Sequence, residues 1–550
     1  MPLPRAESKF VEAWEALSQV RDGSVIVISG FNLSLTPEYL IQGLYRLYRA
    51  SGHPKDLFII SDTFPGSPGR GLDWLAERLY SEEGEHQEFI RGMLVAYYGW
   101  SRWLQKMAEQ NLFEAYTWPI CVLAHWLRDV GAGKPGTLSR VGIGTFIDPR
   151  LDGGALNDLA KERKTAWPEV VTIEDKEYLF YKAPLPEVAL IRGSRADDHG
   201  NISLCEEGLV GPVLQMAQSV KSRGRKGMVI VQILYPVRSG SIEPKKVVIP
   251  GPIVDYIVRA PEDKHWQSAN IKYDPRISGQ VSVPLEYLEI KPVPLTTRKV
   301  VARRVLLEML KLAEEKGYTV VNLGVGIPSL VSSVAAEEDV SEMVVSTVES
   351  GPWGGIPLHG PDFGVAISPK AIIPLIDQFS IYEGGIIDAA SLGFLQVDKH
   401  GNVNASMLPG RLMGPGGFPC ISTGAPKLFF AGLFTAGKQD IRIEPGKGLR
   451  IVKDGDIIKF VDHVYKILYC PCSAEEEGRE HLYITERAVF RLSQGRLELI
   501  EIAPGIDVEK DILAKMEFEP IAQKYGEMDK RIFSQHTMGI AEEFRIVARK

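Results

Sequence analysis

The sequence predicts an α/β fold of mostly parallel strands, arranged as two tandem open α/β domains related by a distant internal repeat. Short runs rich in Val and Ile, apolar at nearly every position, alternate with longer amphipathic segments. A strand that is apolar on both faces is covered on both faces, as in parallel sheets flanked by helices. At 550 residues the chain is also too long for a single hydrophobic core.

In chain order, Ser24–Ser29 (SVIVIS) reads as the first strand and Pro37–Tyr48 as the helix after it. Met228–Leu234 (MVIVQIL) reads as a further buried strand. Tyr318–Asn322 (YTVVN), Met343–Val348 (MVVSTV) and Lys427–Ala431 (KLFFA) follow. A boundary shows at Ile290–Val300 (IKPVPLTTRKV), where two prolines come after a weakly periodic polar stretch, Pro261–Ile277. An amphipathic helix over Val301–Lys316 then makes a second start. The expected division is 1–290, a linker over 291–300, and 301–550.

The two parts echo each other. Asp22-Gly23-Ser24-Val25 leads through a strand to Gly30-Phe31 and then Thr36-Pro37; Lys316-Gly317-Tyr318-Thr319 leads through a strand to Gly324-Val325-Gly326 and then Pro328. Asp198-His199-Gly200-Asn201-Ile202 is matched by Lys399-His400-Gly401-Asn402-Val403. Between these marks the first part carries about 93 more residues than the second, expected as an insert near residues 80–175.

The net charge of −7 argues against a sequence-independent grip on nucleic acid, which needs a basic face. The N-terminal segment lacks the apolar core of a secretory signal, and no apolar run reaches the ~18 residues of a membrane span. Five cysteines do not suggest a disulfide framework. Cys470-Pro-Cys472 has one residue between the thiols, where zinc ribbons and redox motifs use two. It reads as a packing pair in a reducing cytoplasm. No metal-binding motif is present.

Four glycine-rich segments remain. Gly324-Val325-Gly326-Ile327-Pro328 follows a strand and opens a helix, a place where backbone can approach an anion, although the third glycine of a dinucleotide fingerprint is missing. Gly131-Ala132-Gly133-Lys134 lacks the Ser or Thr of a phosphate loop. Thr347–Gly355 (TVESGPWGG) ends a strand on Glu349 and breaks the backbone after it, so a carboxylate stands at the carboxyl end of a parallel strand, where α/β folds bind ligands. A surface Glu in a loop is the alternative. Met407–Cys420 (MLPGRLMGPGGFPC) is dense in glycine, which implies tight turns or close approach. His199 and His400 each precede Gly-Asn and read as turn residues.

Taken together, these motifs resemble the family I coenzyme A transferases in their single-chain, short-chain acyl-CoA form. Leu127–Gly136, Gly142–Gly154, Val188–Ser203, Tyr483–Val489 and Ile502–Leu513 carry the likeness, with Gly324–Pro328, Thr347–Gly355, Gly401–Asn404 and Gly414–Phe418 in the family order. The resemblance implies two tandem CoA-transferase domains and Glu349 as the covalent nucleophile. It further implies Gly416 and Gly417 as backbone oxyanion donors, and residues Gly324, Val325, Gly326, Ile327 and Pro328 lining the CoA site. It implies coenzyme A and acyl-CoA as substrates with no tightly bound cofactor or metal, a carboxylic acid as the other substrate, and a cytoplasmic homotetramer or homodimer without nucleic-acid or membrane partners. Three departures stand out. Relatives usually have Pro-Gln-Gly where this chain has Pro119-Ile120-Cys121, an acidic residue at Ser329, and an aliphatic residue at Trp353. The lost Gln is a side-chain donor, and Trp353 is either part of a reshaped acyl pocket or a packing residue. Rival readings are an acyl-CoA hydrolase on the same fold, a CoA-binding protein with little turnover, and a nucleotide-dependent dehydrogenase.

Overall fold

Strand β1 (Val25–Ile28) is buried at all four positions, and its residues point alternately into two different cores. Val25 and Val27 join a hydrophobic cluster that runs through both parts of the chain, while Ile26 and Ile28 join one confined to the first part. That is the structural meaning of an apolar run without alternation. The computed structural model describes residues 9–81, 88–284, 287, 292–314, 316–472 and 478–547.

The first sheet contains β1, β2 (Leu57–Ser61), β3 (Ile90–Val95), β4 (Glu114–Tyr116), β5 (Val188–Arg192), β6 (Met228–Ile233) and β7 (Tyr256–Arg259), in the order β7-β6-β5-β1-β2-β3-β4 and parallel throughout. Helix α1 (Glu38–Ser51) follows β1, and α2 (Ile120–Gly131) follows β4. Strands β3 and β4 lie within residues 80–175, so part of that stretch extends the sheet.

The second sheet is built around β8 (Thr319–Leu323), β9 (Val344–Thr347), β12 (Ala389–Gly393), β13 (Lys427–Ala431) and β14 (Glu480–Ile484), parallel in the order β9-β8-β12-β13-β14. This repeats the order β2-β1-β5-β6-β7. Antiparallel additions, β10 (Pro352–Trp353) and β11 (Ala371–Ile372), extend it beside β9. Helix α3 (Thr297–Ala313) precedes β8, α4 (Leu330–Glu337) follows it, and α5 (Leu375–Glu383) and α6 (Phe418–Gly424) come later. Helix α3 begins inside the stretch read as a linker, because the Thr296 side chain accepts from the Lys299 N–H and caps it there. The boundary at 290/291 lies outside the described residues. No described helix is long and apolar enough to cross a membrane.

The echo seen in sequence has an atomic counterpart. Asp197 Oδ1 accepts from the backbone N–H groups of His199 and Asn201 at 3.0 and 2.9 Å, and its Oδ2 accepts from Asn201 Nδ2 at 3.0 Å. Asp398 does the same for His400 and Asn402, at 3.0, 3.1 and 2.9 Å. His199 and His400 are exposed turn residues.

The cysteine expectation needs correcting. Cys121 pairs with Cys420 and Cys470 with Cys472, with Cα–Cα distances of 6.0 and 5.2 Å, and only Cys205 is unpaired. Cys121 and Cys420 sit in the first turns of α2 and α6, which pack together, so a separation of 299 residues vanishes in space. Composition does not reveal such a meeting.

Asp398→Ala leaves the turn donors of a buried carboxylate without an acceptor. It should lower stability by about 2–4 kcal/mol, read as a lower urea midpoint, because charge-assisted bonds to buried donors cost the most when one partner is removed.

Candidate active site between the two sheets

Glu349 stands two residues beyond β9, in a turn closed by the Gly351 N–H donating to Val348 O at 2.9 Å and the Val348 N–H donating to Pro352 O at 2.8 Å. Gly351 adopts φ +122°, and a Cβ there would lie 2.0 Å from Ile373 O, so only glycine fits. Glu349 itself is half-buried. Among the described residues its carboxylate has no ion pair or hydrogen-bond partner. Burial alone pushes its pKa up to about 7.

The second glycine-rich loop closes over it. A Cβ on Gly417 would meet Glu349 Oε2 at 2.0 Å and Phe379 Cζ at 3.2 Å, so the carboxylate occupies the space a side chain would need. This loop belongs to the second part of the chain but is pinned to the first. The Gly416 N–H donates to Ala96 O at 3.0 Å, the Ile120 N–H donates to Gly416 O at 3.1 Å, and the Tyr98 N–H donates to Met413 O at 2.7 Å. The Gly416 N–H is therefore already committed in this conformation. Among the described residues the Gly417 N–H has no partner, so of the two expected backbone donors Gly417 is the free one.

Beneath Glu349, the neighbouring strand end is tied to α5. Thr347 Oγ1 and Tyr382 OH are 2.9 Å apart, Asn322 Nδ2 donates to Tyr382 OH at 3.0 Å, and Thr347 Oγ1 donates to Val321 O at 2.9 Å. Trp353 lies opposite Thr347 across β9–β10, and its indole N–H donates to Gln378 Oε1 at 2.5 Å. That hydrogen bond supports the packing reading of Trp353. Ile120 is only 3% exposed, at the start of α2.

The loop 324–328 leaves the sheet beside this point. Asn322 pairs with Thr347, so Gly324 and Glu349 each stand two residues past a paired position on adjacent strands. The Gly324 N–H donates to Ser391 O at 2.9 Å and the Ser329 hydroxyl donates to Gly326 O at 2.8 Å. Val325 is 62% exposed while Ile327 is buried, and the space about Gly326 is open. Residues 324–328 thus leave the same sheet edge as Glu349, with Val325 exposed and Ile327 and Pro328 turned into the protein.

Two residues went unremarked in the sequence. Tyr97 follows β3, and its phenol is held protonated, with a pKa pushed up to about 12 by burial, Arg411 opposing and the Glu349 charge adding to the rise. Asp62 follows β2, is 2% exposed, and is pushed up to about 7 by burial. Superposing the Asp197 and Asp398 turns through the strand registers puts Ile59 on Ser346, and Asp62 on Glu349. The rule that singled out Glu349, a polar residue at a parallel strand's carboxyl end, finds both.

Between the ordinary carboxylate value of 4.5 and about 7, the unfolded chain releases the Glu349 proton while the folded chain keeps it. Stability is thus fully present below 4.5 and falls as the pH rises towards 7. Wild type should lose stability relative to Glu349→Gln across that window, measured by denaturant titration at each pH.

Comparison with known proteins identifies the family. Residues 10–260 match the family profile Coenzyme A transferase. The chain is 38% identical over 545 residues to a caffeate CoA-transferase of Acetobacterium woodii, covering 97% of this chain and 99% of that one. It is 38% identical to the acetate CoA-transferase YdiF of Escherichia coli K12, covering 96% of each. The crystal structure of the E. coli O157:H7 YdiF thioester complex with CoA superposes with a TM-score of 0.85 at 36% identity, over 97% of each chain. Likeness across essentially the full length, with an uncompensated carboxylate set between two parallel sheets, leads to one conclusion: this chain belongs to the family I coenzyme A transferases and is an acyl-CoA:carboxylate CoA-transferase.

Proposed function

We propose that the enzyme works in two half-reactions, with Glu349 carrying CoA between them as a glutamyl thioester. The observation that best supports this is the state of Glu349. It is a carboxylate without a counter-ion, fitted against a residue that has no side chain, on the sheet edge where loop 324–328 opens to solvent. With a pKa near 7, a substantial fraction is ionised at neutral pH, and the raised basicity favours nucleophilic attack.

In the first half-reaction a Glu349 oxygen bonds to the acyl carbon of the thioester, and CoA leaves as thiolate. The resulting mixed anhydride is attacked at the Glu349 carboxyl carbon by that thiolate, and the acyl group departs as a free carboxylate. The second half-reaction runs these steps in reverse with the acceptor acid. The thioester's energy is retained because each enzyme-bound intermediate, the anhydride and then the glutamyl thioester, is again an activated carboxyl. Loop 324–328 receives the CoA, and the Gly417 N–H donates to an oxyanion, a contribution of about 3–4 kcal/mol for a well-aimed donor.

For the acyl group we propose a bulky or apolar acid. The related enzymes named above act on caffeate and on acetate, so size must be argued from this chain. Ile120 puts an alkyl group where relatives carry an amide, and Phe379 packs against Gly417 beside Glu349. Each methylene-sized contact changes discrimination by about 1–3 kcal/mol.

Glu349→Gln should abolish exchange of CoA between acids while leaving the fold intact. Incubation of wild type with acyl-CoA should place CoA on the Glu349 peptide, reducible by borohydride and convertible by hydroxylamine to a hydroxamate. Turnover without that adduct in the mass spectrum would refute the covalent route, and net CoA release without an acceptor would mark a hydrolase. In the same exchange assay, kcat/KM for branched, C5–C8 or aryl acids should exceed that for acetate and propionate. The reverse order would refute the acyl-site argument and leave Ile120 as a tolerated change.

A further inference from the structure

Where relatives usually have Pro-Gln-Gly, this chain departs at two successive positions, Ile120 and Cys121. The second departure puts a thiol where glycine has only hydrogen, and its partner lies beside the candidate active site. Cys121 is the second residue of α2 and Cys420 the third of α6. Their Cα atoms are 6.0 Å apart, within the span a disulfide bridges, and both residues are fully buried. The Cys121 N–H also donates to Cys420 Sγ at 3.3 Å. One residue before Cys121, the Ile120 N–H donates to Gly416 O at 3.1 Å; one residue after Cys420, the Ile421 N–H donates to Gly417 O at 3.1 Å. The bridge therefore fastens the turn of helix that begins at Gly417, the residue whose missing Cβ leaves room for Glu349 Oε2. The Cys470–Cys472 pair lies wholly within the second part, so among the described residues Cys121–Cys420 is the one covalent cross-link between the two parts.

We propose that Cys121 and Cys420 are a redox-reversible positioning pair: as a disulfide they hold Gly417 against Glu349 for CoA transfer, and as two thiols they let the loop lift and transfer slow. The proposal rests on the covalent role proposed for Glu349. Reduction is thiol–disulfide exchange. One thiolate of a small dithiol attacks a bridge sulfur, and its second thiolate then displaces the mixed disulfide. The reagent leaves as its cyclic disulfide, and its two protons end on the protein thiols. Oxidation uses oxidised glutathione, which accepts two electrons and the two protons and leaves as two glutathione thiols. Because both sulfurs are buried, exchange has to wait for the loop to part from α2, the motion that the bridge itself suppresses.

Wild-type enzyme isolated without reductant and treated with oxidised glutathione should yield the Cys121 and Cys420 peptides joined in a non-reduced digest. Reduction by dithiothreitol, followed by its removal, should lower kcat for CoA exchange by about 10–100-fold, as a small misplacement of a donor does, while KM for acyl-CoA stays within about threefold. Reoxidation should restore the rate. Cys420→Ser should be slow from the start and indifferent to dithiothreitol, whereas Cys470→Ser should keep the wild-type response. If Cys420→Ser misfolds, the reduced and reoxidised wild type decides alone. A bond that only stabilised the fold would lower the melting temperature and leave kcat unchanged well below it. An unchanged kcat in enzyme shown to be reduced at both cysteines would therefore overturn the proposal, as would failure to find the two peptides joined. A rate that falls in step with loss of near-UV circular dichroism would make the bond structural and overturn it too. The two readings fail separately: oxidised enzyme that turns over without a glutamyl adduct would sink the covalent role of Glu349, and the redox response of kcat would still decide the pair.

Discussion

The site depends on one contact, the docking of the 414–417 loop onto the carboxyl end of β3. It is made almost wholly by backbone: the Gly416 N–H on Ala96 O, the Ile120 N–H on Gly416 O, the Tyr98 N–H on Met413 O. Three such bonds contribute only about 0.5–1.5 kcal/mol each in net terms. Their greater effect is geometric. They bring Cβ-less Gly417 up to the Glu349 carboxylate and place Tyr97 against the same loop, so the proposed reacting centre is assembled from both parts of the chain. A side chain on Gly417 would push the loop away from Glu349, and a side chain on Gly414 would collide with Ala96 O at 2.7 Å. Steric exclusion here outweighs hydrogen-bond energy.

The second constraint is electrostatic. Asp62 and Glu349 occupy matching positions in the two sheets, and burial raises both to about 7. Among the described residues neither has a cationic partner. An arginine beside Glu349 would hold it ionised at low pH, yet would also draw down the basicity that makes a carboxylate reactive. The molecule instead places neutral groups underneath, Thr347, Tyr382 and Asn322, which fix the strand end without altering its charge. Trp353 and Gln378 brace the same helix from the other side.

Much of this was legible in sequence, and the reasons are specific. Runs such as SVIVIS report two-sided burial directly, and TVESGPWGG reports a strand end followed by a forced turn. The like turns at Asp197 and Asp398 were visible as His-Gly-Asn, although the capping aspartate that makes the hydrogen bonds drew no notice. What stayed hidden depends on meetings between distant segments. Ala96 with Gly416, and Cys121 with Cys420, leave no local trace, because a backbone carbonyl or a buried thiol looks the same whether or not something docks on it. Tyr97 was missed for a narrower reason: the strand-end rule was applied to β9 and not to β3. Gly416 and Gly417 read alike in sequence, and only hydrogen-bond accounting separates the spent N–H from the free one.

From the like order of the two sheets alone, two like sites would be expected. They do not arise, because Asp62 is 2% exposed whereas Glu349 keeps part of its surface open. A thioester arriving from solvent can reach one of these carboxyls and is walled off from the other. On the covalent role proposed for Glu349, stoichiometry follows from that asymmetry: an active-site titration of this protein counts chains, not sheets.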